Sequence, residues 1–253
     1  MYKEITKEDL KERLKLPTDY KVDACFIYGG WNEANRRGFL KTLEKRNYKI
    51  EKLSYKFLKP ITSVLVGKKR IWFMMEYGGA RLSEYIHFAS MLGSRKNIVV
   101  GTCGALKKGM DTLSVLVPTF SHSTESSCRM YDKNNKDCIF LPDKKLTKNL
   151  IAKLENKLNV YHGPMVTCQG MMGETWEDIL EWSRQGFYGV EMECSTVFSV
   201  SKHFKVPSAG VLIIADNLIE KETVESKSYN SRRRKIKEIK KEVFKIVSDM
   251  VLE

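Results

Sequence analysis

The chain has 253 residues, of which 42% are hydrophobic and 30% are charged, with only 6 prolines and 16 glycines. This composition is globular, and a chain of this length can bury a full apolar core, which excludes disordered, collagen-like, coiled-coil and miniprotein classes. The 44 Lys and Arg residues exceed the 31 Asp and Glu residues by 13, a surplus that favours anionic partners such as phosphates, nucleic acids or acidic membrane surfaces.

The first elements are a short helix and a buried strand. Thr6 followed by Asp9 is typical of a helix N-cap, and it predicts a helix to about Leu16. The apolar run at residues 22–28 ends at Gly29-Gly30, which indicates a buried strand entering a tight turn. Similar apolar runs predict strands at residues 63–66, 71–75, 98–100, 113–117, 165–168, 190–192 and 211–215.

Helical patterns alternate with these strands, at residues 39–45, 82–92, 146–158, 176–183 and 196–204. A terminal helix carries one apolar stripe, formed by Ile236, Ile239, Val243, Ile246 and Met250. Because strands and helices alternate without a linker or repeat, we expect one α/β domain over residues 1–253 with a mostly buried, mixed sheet.

The cysteine spacing and the length of the apolar runs indicate the cellular compartment of the protein. None of the six cysteines forms a C-x-x-C pair, the N-terminus is charged throughout, and no apolar run approaches the ~18 residues of a membrane span. We therefore expect a soluble cytoplasmic protein with no membrane partner and no metal site. The basic run at residues 232–235 opens an amphipathic helix and lacks interleaved aromatics, so we expect no nucleic-acid partner.

Glycine turns follow several predicted strands. The turn at residues 101–104 exposes backbone amides and the Thr102 hydroxyl, a concavity that suits an anion or a sugar, although a plain connection explains it too. The same two interpretations apply to Gly29-Gly30 and to Gly78-Gly79.

Carboxylates end two of the predicted strands. Glu191 and Glu193 flank Met192 at the end of an apolar run, where they either accept hydrogen bonds from ligand hydroxyls or cap the following helix. Asp216 ends the strand at residues 211–215, a usual place for a ligand-contacting residue and also for an N-cap.

The turn at residues 101–104, the Gly189–Glu193 segment and Ala215-Asp216-Asn217, with Gly29 and Gly78-Gly79, together resemble the nucleoside phosphorylase superfamily. That superfamily includes hexameric purine nucleoside phosphorylase, uridine phosphorylase and the methylthioadenosine nucleosidases. The resemblance extends over nearly the whole chain. It implies a single α/β domain whose central mixed, partly barrel-like β-sheet is flanked by helices.

The resemblance also implies a phosphate site, formed by Gly29, Arg37 (with Arg36 as the alternative at that position), Thr102 and, from a neighbouring subunit, Lys56. A third phosphate-binding arginine of the family falls on Val99, which weakens the predicted site unless Arg81 compensates. Lys56 stands where the family has an arginine. It keeps the positive charge but cannot form the paired N–H hydrogen bonds that arginine makes to phosphate.

For the nucleoside, the resemblance implies that Glu193 receives the ribose hydroxyls and that Met192 packs under the sugar. The full set of implied nucleoside-binding residues is Tyr2 from an adjacent subunit, Cys103, Gly104, Met171, Val190, Glu191, Met192 and Glu193.

Asp216 aligns with the general acid of purine-specific members, and the loop at residues 169–175 lacks the arginine that uridine phosphorylases use, so a purine is favoured over uracil. The expected activity is phosphorolysis of a purine nucleoside in purine salvage, by a dimer-based homo-oligomer such as a hexamer with shared active sites. Phosphate is a co-substrate, and no cofactor is expected. Hydrolysis by water, uridine phosphorolysis and nucleoside binding without chemistry remain alternatives.

Overall fold

In the part of the chain that the structure describes, ten strands form mainly from the buried apolar runs of the sequence. The computed structural model describes residues 4–222 and 227–253, with side chains of the last helix from residue 232 onward. The strands are β1 (Ala24–Gly29), β2 (Tyr48–Glu51), β3 (Ile61–Val66), β4 (Lys69–Glu76), β5 (Asn97–Ala105), β6 (Val115–His122), β7 (Ile139–Phe140), β8 (Val160–Thr167), β9 (Gly189–Glu191) and β10 (Ser208–Asn217).

Eight α-helices connect or follow these strands in the described parts of the chain. They are α1 (Lys7–Arg13), α2 (Glu33–Leu43), α3 (Gly79–Met91), α4 (Ser126–Tyr131), α5 (Lys144–Glu155), α6 (Trp176–Arg184), α7 (Cys194–His203) and α8 (Lys227–Leu252). Short 3-10 turns lie at Lys56–Leu58 and Met171–Gly173.

The strands form one mixed sheet with the order β10-β6-β8-β9-β5-β1-β4-β3-β2, and β7 pairs with β6. An additional pairing of β10 with β5 closes β5, β10, β6, β8 and β9 into a five-stranded barrel. β1 runs parallel to both β4 and β5, whereas β10 and β6 are antiparallel. The predicted mixed, partly barrel-like sheet flanked by helices is therefore confirmed.

Helices cover both faces of the sheet, because alternate residues of the strands are apolar on each side. One buried cluster joins Leu82 and Ile86 of α3 to Phe198 of α7 under the first face. The other joins α2, α5 and α8, where Phe39 stacks on Phe73 with ring centroids 4.5 Å apart and Phe244 packs edge-on against Phe26. This second cluster anchors the terminal helix.

Some elements differ from the sequence predictions. The capping box between Thr6 and Asp9 is present, but α1 ends at Arg13. β2 and α4 were not predicted, because the edge strand YKIE is half polar and the SSCRMY segment has no apolar period. α2 begins at Glu33, capped by the Asn32 side chain, rather than at residue 39. Within residues 4–222 and 227–253, no helix is long and apolar enough to cross a membrane.

Candidate active site

A buried carboxylate, that of Glu193, joins the ends of three chain segments. Glu193 follows β9, and its Oε1 accepts a hydrogen bond of 2.8 Å from the backbone N–H of Gly78, which follows β4. A Cβ atom on Gly29, the last residue of β1, would lie 2.3 Å from Glu193 Oε2. Only glycine permits this approach, so Gly29 is fixed by the position of the carboxylate.

The Glu193 side chain carries an unusual proton affinity. Burial, followed by the charges of Glu191 and Glu76, raises the pKa of Glu193 to about 8, and the Gly78 amide opposes part of that rise. Glu193 is only 4% exposed. A carboxyl with this pKa exists in both protonation states near neutral pH. The ionised form accepts hydrogen bonds from a hydroxyl-rich ligand, and the protonated form can also donate one.

Glu191 is held by the protein itself. Its Oε2 accepts hydrogen bonds of 2.8 Å from the backbone N–H groups of Glu193 and Cys194, at the start of α7, and its Oε1 accepts one from the Thr167 hydroxyl. This is the helix-capping arrangement considered as the alternative for this carboxylate. Burial raises the pKa of Glu191 despite these bonds. The geometry makes Glu191 a support for the Glu193 backbone.

Gln169 connects the loop after β8 to two walls of the site. Its side-chain oxygen accepts a 2.6 Å hydrogen bond from the Gly79 N–H, and its Nε2 donates a 2.6 Å bond to the Met192 carbonyl. Sequence reasoning did not assign this role to Gln169. A glutamine in a loop after a strand carries no periodic signal that would have revealed it.

Asp216 lies at an irregularity of β10. The register between β10 and β5 shifts between Ile214 and Asp216, and this places the Asp216 carboxylate against Gly104 of β5. A Cβ atom on Gly104 would lie 3.2 Å from Asp216 Oδ1 and 2.7 Å from Leu218 Cδ1. The bulge therefore turns the carboxylate over the glycine.

Two further titratable groups lie within electrostatic range of Asp216. Burial, then the charges of Asp216 and Asp178, raise the pKa of Glu174 to about 7. Burial, then Asp216 and Glu191, raise the pKa of the Cys103 thiol well above its usual value, which keeps that thiol neutral. Glu174 lies in the loop between β8 and α6 and was not singled out from the sequence.

The remaining residues predicted to bind the nucleoside are distributed around these carboxylates. Val190 is buried and pairs with Gly104 across β9 and β5. Met171 is 51% exposed, and its sulfur accepts a 3.8 Å contact from the Tyr77 hydroxyl. Met192 is half-buried. Tyr2 lies outside the described residues.

Exposed aromatic rings border this part of the site. The Tyr77 ring packs edge-on against Trp31, with centroids 4.8 Å apart. Trp31 is largely exposed and directly follows the Gly29-Gly30 turn. This aromatic rim was not predicted from the sequence.

The residues predicted to bind phosphate are more dispersed. Thr102 is exposed on β5, and Arg37 is exposed on α2. Lys56 begins the 3-10 turn and lines two cavities whose described lining residues include neither Gly29, Thr102 nor Glu193. A single protomer therefore brings Gly29 and Glu193 together, whereas Lys56 lines cavities that neither of them lines.

Val99 stands where the family has a third phosphate-binding arginine, and Arg81 is the candidate to replace that arginine. Both side chains already have partners within the protein. Val99 is fully buried in the core, where a Cβ on Gly210 would approach its Cγ1 to 3.1 Å. Arg81 forms a bidentate ion pair with the buried Glu76, at 2.7 and 2.9 Å. The Arg81 charge is thus matched within the protein.

The barrel-closed sheet, the glycine-supported carboxylate at Glu193 and the bulge at Asp216 define an α/β protein of the nucleoside phosphorylase type. Residues 43–251 match the family model described as Phosphorylase superfamily, and the chain belongs to that family.

Two relatives found by sequence comparison are distant. The chain is 24% identical to a guanosine phosphorylase of Halorubrum lacusprofundi over 131 residues, which cover 51% of this chain and 54% of that protein. It is 25% identical to a DeoD-type purine nucleoside phosphorylase of Buchnera aphidicola subsp. Schizaphis graminum over 140 residues, 54% of this chain and 58% of the relative. The chain thus spans little more than half the length of these relatives.

The fold is also found in solved structures. A crystal structure of uridine phosphorylase from Vibrio fischeri ES114 superposes with a TM-score of 0.73, covering 92% of this chain and 94% of that one, at 15% sequence identity. This similarity is one of fold.

Proposed function

We propose that the protein cleaves the N-glycosidic bond of a purine nucleoside, with phosphate attacking C1′ to give the free base and ribose 1-phosphate. The observation that carries this proposal is the placement of two carboxylates against glycines of neighbouring strands. Glu193 lies over Gly29 of β1, and Asp216 lies over Gly104 of β5. Glu193 is proposed to bind the sugar and Asp216 to act on the base.

The sugar end of the proposed site suits the charge of the reaction. Cleavage of the bond builds positive charge on the ribose, which the ionised form of Glu193 stabilises, and that form becomes populated as pH rises through its pKa of about 8. Glu193 is held by the Gly78 amide, and the Glu193 backbone is in turn held by Glu191. Its accessible acid form near neutral pH also suits hydrogen bonding with vicinal hydroxyls.

At the base end, negative charge builds on the departing purine. Asp216 is proposed to protonate a ring nitrogen, which makes the base a better leaving group. Glu174, whose pKa is about 7, and the neutral Cys103 thiol lie within electrostatic range of Asp216. The named activities of the Halorubrum and Buchnera relatives, guanosine and purine nucleoside phosphorylases, support a purine.

Water is the second candidate nucleophile, because the phosphate side of the proposed site is poor in unpaired positive charge. Val99 contributes no charge, and Arg81 is paired with Glu76, whose charge acts on Glu193. A phosphate dianion needs cations around it, whereas neighbouring carboxylates oppose its binding and suit activation of a water molecule.

The test is base release from inosine, guanosine, adenosine, methylthioadenosine and uridine, measured in paired reactions with millimolar phosphate and without it. Release that requires phosphate and yields ribose 1-phosphate supports phosphorolysis. Release at the same rate without phosphate replaces it with hydrolysis. If all five nucleosides are bound but remain intact, the chain is a binding protein and the catalytic proposal is wrong.

We further propose a homo-oligomer built from dimers, with a hexamer as the expected size, in which Lys56 and Tyr2 complete a neighbour's site. This arrangement would supply a cation that a single protomer does not bring to Gly29. Light scattering of the purified chain measures the mass directly. A monomer that releases base at full rate would remove Lys56 and Tyr2 from the site.

A further inference from the structure

A lysine of the terminal helix lies behind the Gly29-Gly30 turn. Lys240 of α8 is half-buried, and its Nζ donates hydrogen bonds to the Tyr28 hydroxyl at 2.7 Å and to the Asn35 side-chain oxygen at 3.1 Å. Tyr28 precedes Gly29 in β1, and Asn35 lies in the first turn of α2. One ammonium group therefore links the strand before the turn to the helix after it.

The Tyr28 ring separates Lys240 from the turn. Successive residues of a strand face opposite sides of the sheet, so Tyr28 faces α8 whereas Gly29 faces Glu193. A Cβ atom on Gly30 would lie 3.1 Å from Tyr28 Cε1, which places the edge of the ring against that glycine. The Lys240 ammonium is 5.0 Å from the centroid of the same ring. The cation thus lies one aromatic ring away from the turn proposed to bind phosphate.

The charge of Lys240 has no carboxylate partner among the side chains that the structure describes. Both of its hydrogen-bond acceptors are neutral. By contrast, Arg70 and Arg81 each pair with a glutamate. Burial, followed by the charge of Lys237, lowers the pKa of Lys240, so its surroundings disfavour the charged form. Removing a cation from water is costly unless an anion compensates it, and an anion at the turn would do so.

We infer that Lys240 is a positioning residue for phosphate in the proposed reaction, and the inference rests on the proposed function. Lys240 does not contact the phosphate. It holds the Tyr28 ring against Gly30 and joins that end of β1 to α2, and its charge attracts a dianion at the turn across the ring. This charge belongs to the protomer itself, and it offsets part of the charge that Val99 does not supply.

The test separates the charge of Lys240 from its size. Lys240→Gln removes the charge and keeps a hydrogen-bond donor, whereas Lys240→Arg keeps the charge. The matched control is Lys241→Gln, which removes the next, exposed lysine of the same helix. The measurement is the initial rate of base release from the purine nucleoside that is cleaved fastest, with phosphate and nucleoside varied in turn.

We expect the effect of the charge to fall on phosphate alone. Lys240→Gln should raise the KM for phosphate about tenfold and the KM for the nucleoside less than about twofold, because the ammonium lies on the side of β1 away from Glu193. Lys240→Arg and Lys241→Gln should keep the KM for phosphate within about threefold of that of the unmodified protein. A merely structural role of Lys240 would change both KM values together.

The unmodified protein distinguishes failure of this inference from failure of the proposed function. If it releases base at the same rate without phosphate, phosphorolysis is wrong and the role of Lys240 is wrong with it. If release requires phosphate but Lys240→Gln and Lys241→Gln have the same KM for phosphate, phosphorolysis stands and only the role of Lys240 is overturned. An equal rise of both KM values in Lys240→Gln would also overturn it. Circular dichroism verifies that each variant is folded, and Lys240→Met is the second uncharged variant.

Discussion

The two halves of the proposed active site are constructed differently. On the nucleoside side, Glu193 and Asp216 lie against Gly29 and Gly104, and backbone amides and buried neighbours fix their surroundings. On the phosphate side, Thr102 and Arg37 are exposed, and Val99 is part of the apolar core. The contrast teaches that the residues proposed to bind the nucleoside are fixed within the protomer, whereas those proposed to bind phosphate are held less firmly.

The largest expected effect comes from the base end. Asp216→Asn removes the proposed proton donor but keeps its size, so kcat for purine release should fall about 10²- to 10⁴-fold. Nucleoside affinity, measured by calorimetry, should change little. The control is Asp137→Asn, which removes an exposed carboxylate of the loop before β7. Unchanged turnover in Asp216→Asn would remove Asp216 from the mechanism.

At the sugar end, Gly29→Ala tests the contact with Glu193. The added methyl would lie 2.3 Å from Glu193 Oε2, so the carboxylate must move, and we expect base release to fall by about 10- to 100-fold. Gly173→Ala is the control, because its Cβ would meet no atom within 4 Å. Similar kinetics in the two variants would mean that the position of Glu193 has no effect on the reaction.

The pKa of Glu193 makes a prediction about stability. Because this pKa is about 8 in the folded protein and near 4.5 in the unfolded chain, the folded state binds more protons between these values. The free energy of unfolding should therefore fall as pH rises from about 4.5 to 8, since each unit of pKa difference corresponds to about 1.4 kcal/mol.

Glu193→Gln should remove much of that pH dependence. The measurement is urea unfolding of both proteins at several pH values, with Glu177→Gln on the exposed face of α6 as the control. Parallel stability curves for the unmodified protein and Glu193→Gln would show that Glu193 ionises normally in the folded state.

The smallest effect is expected on the phosphate side. Arg37 is exposed, so Arg37→Ala should raise the KM for phosphate only about three- to tenfold and leave the KM for the nucleoside unchanged. Lys41→Ala, which removes an exposed cation of the same helix, is the control. Equal effects of both variants would reduce the role of Arg37 to general surface charge.

Most of the fold could be predicted from local pattern. Apolar runs ended by glycine indicated the strands of the sheet, and the stripe on α8 indicated a packed terminal helix, because burial requires periodic apolar residues. β2 and α4 could not be predicted, since neither carries such a period. The start of α2 was placed too late because the polar first turn of that helix is capped by Asn32 without an apolar signal.

The sequence by itself determined the family, the α/β sheet and the order in which the glycine turns and acidic residues follow the strands. Only the tertiary structure decided which of those residues meet. Glu191 and Glu193 share a motif, yet the start of α7 binds the first and the Gly78 amide binds the second. Glu174 and Gln169 join the site through loop geometry. The physical reason is that the hydropathy pattern of a sequence indicates which residues are buried and whether a segment has the period of a helix or a strand. Hydrogen bonds and pKa values depend instead on contacts between segments that are distant in the sequence.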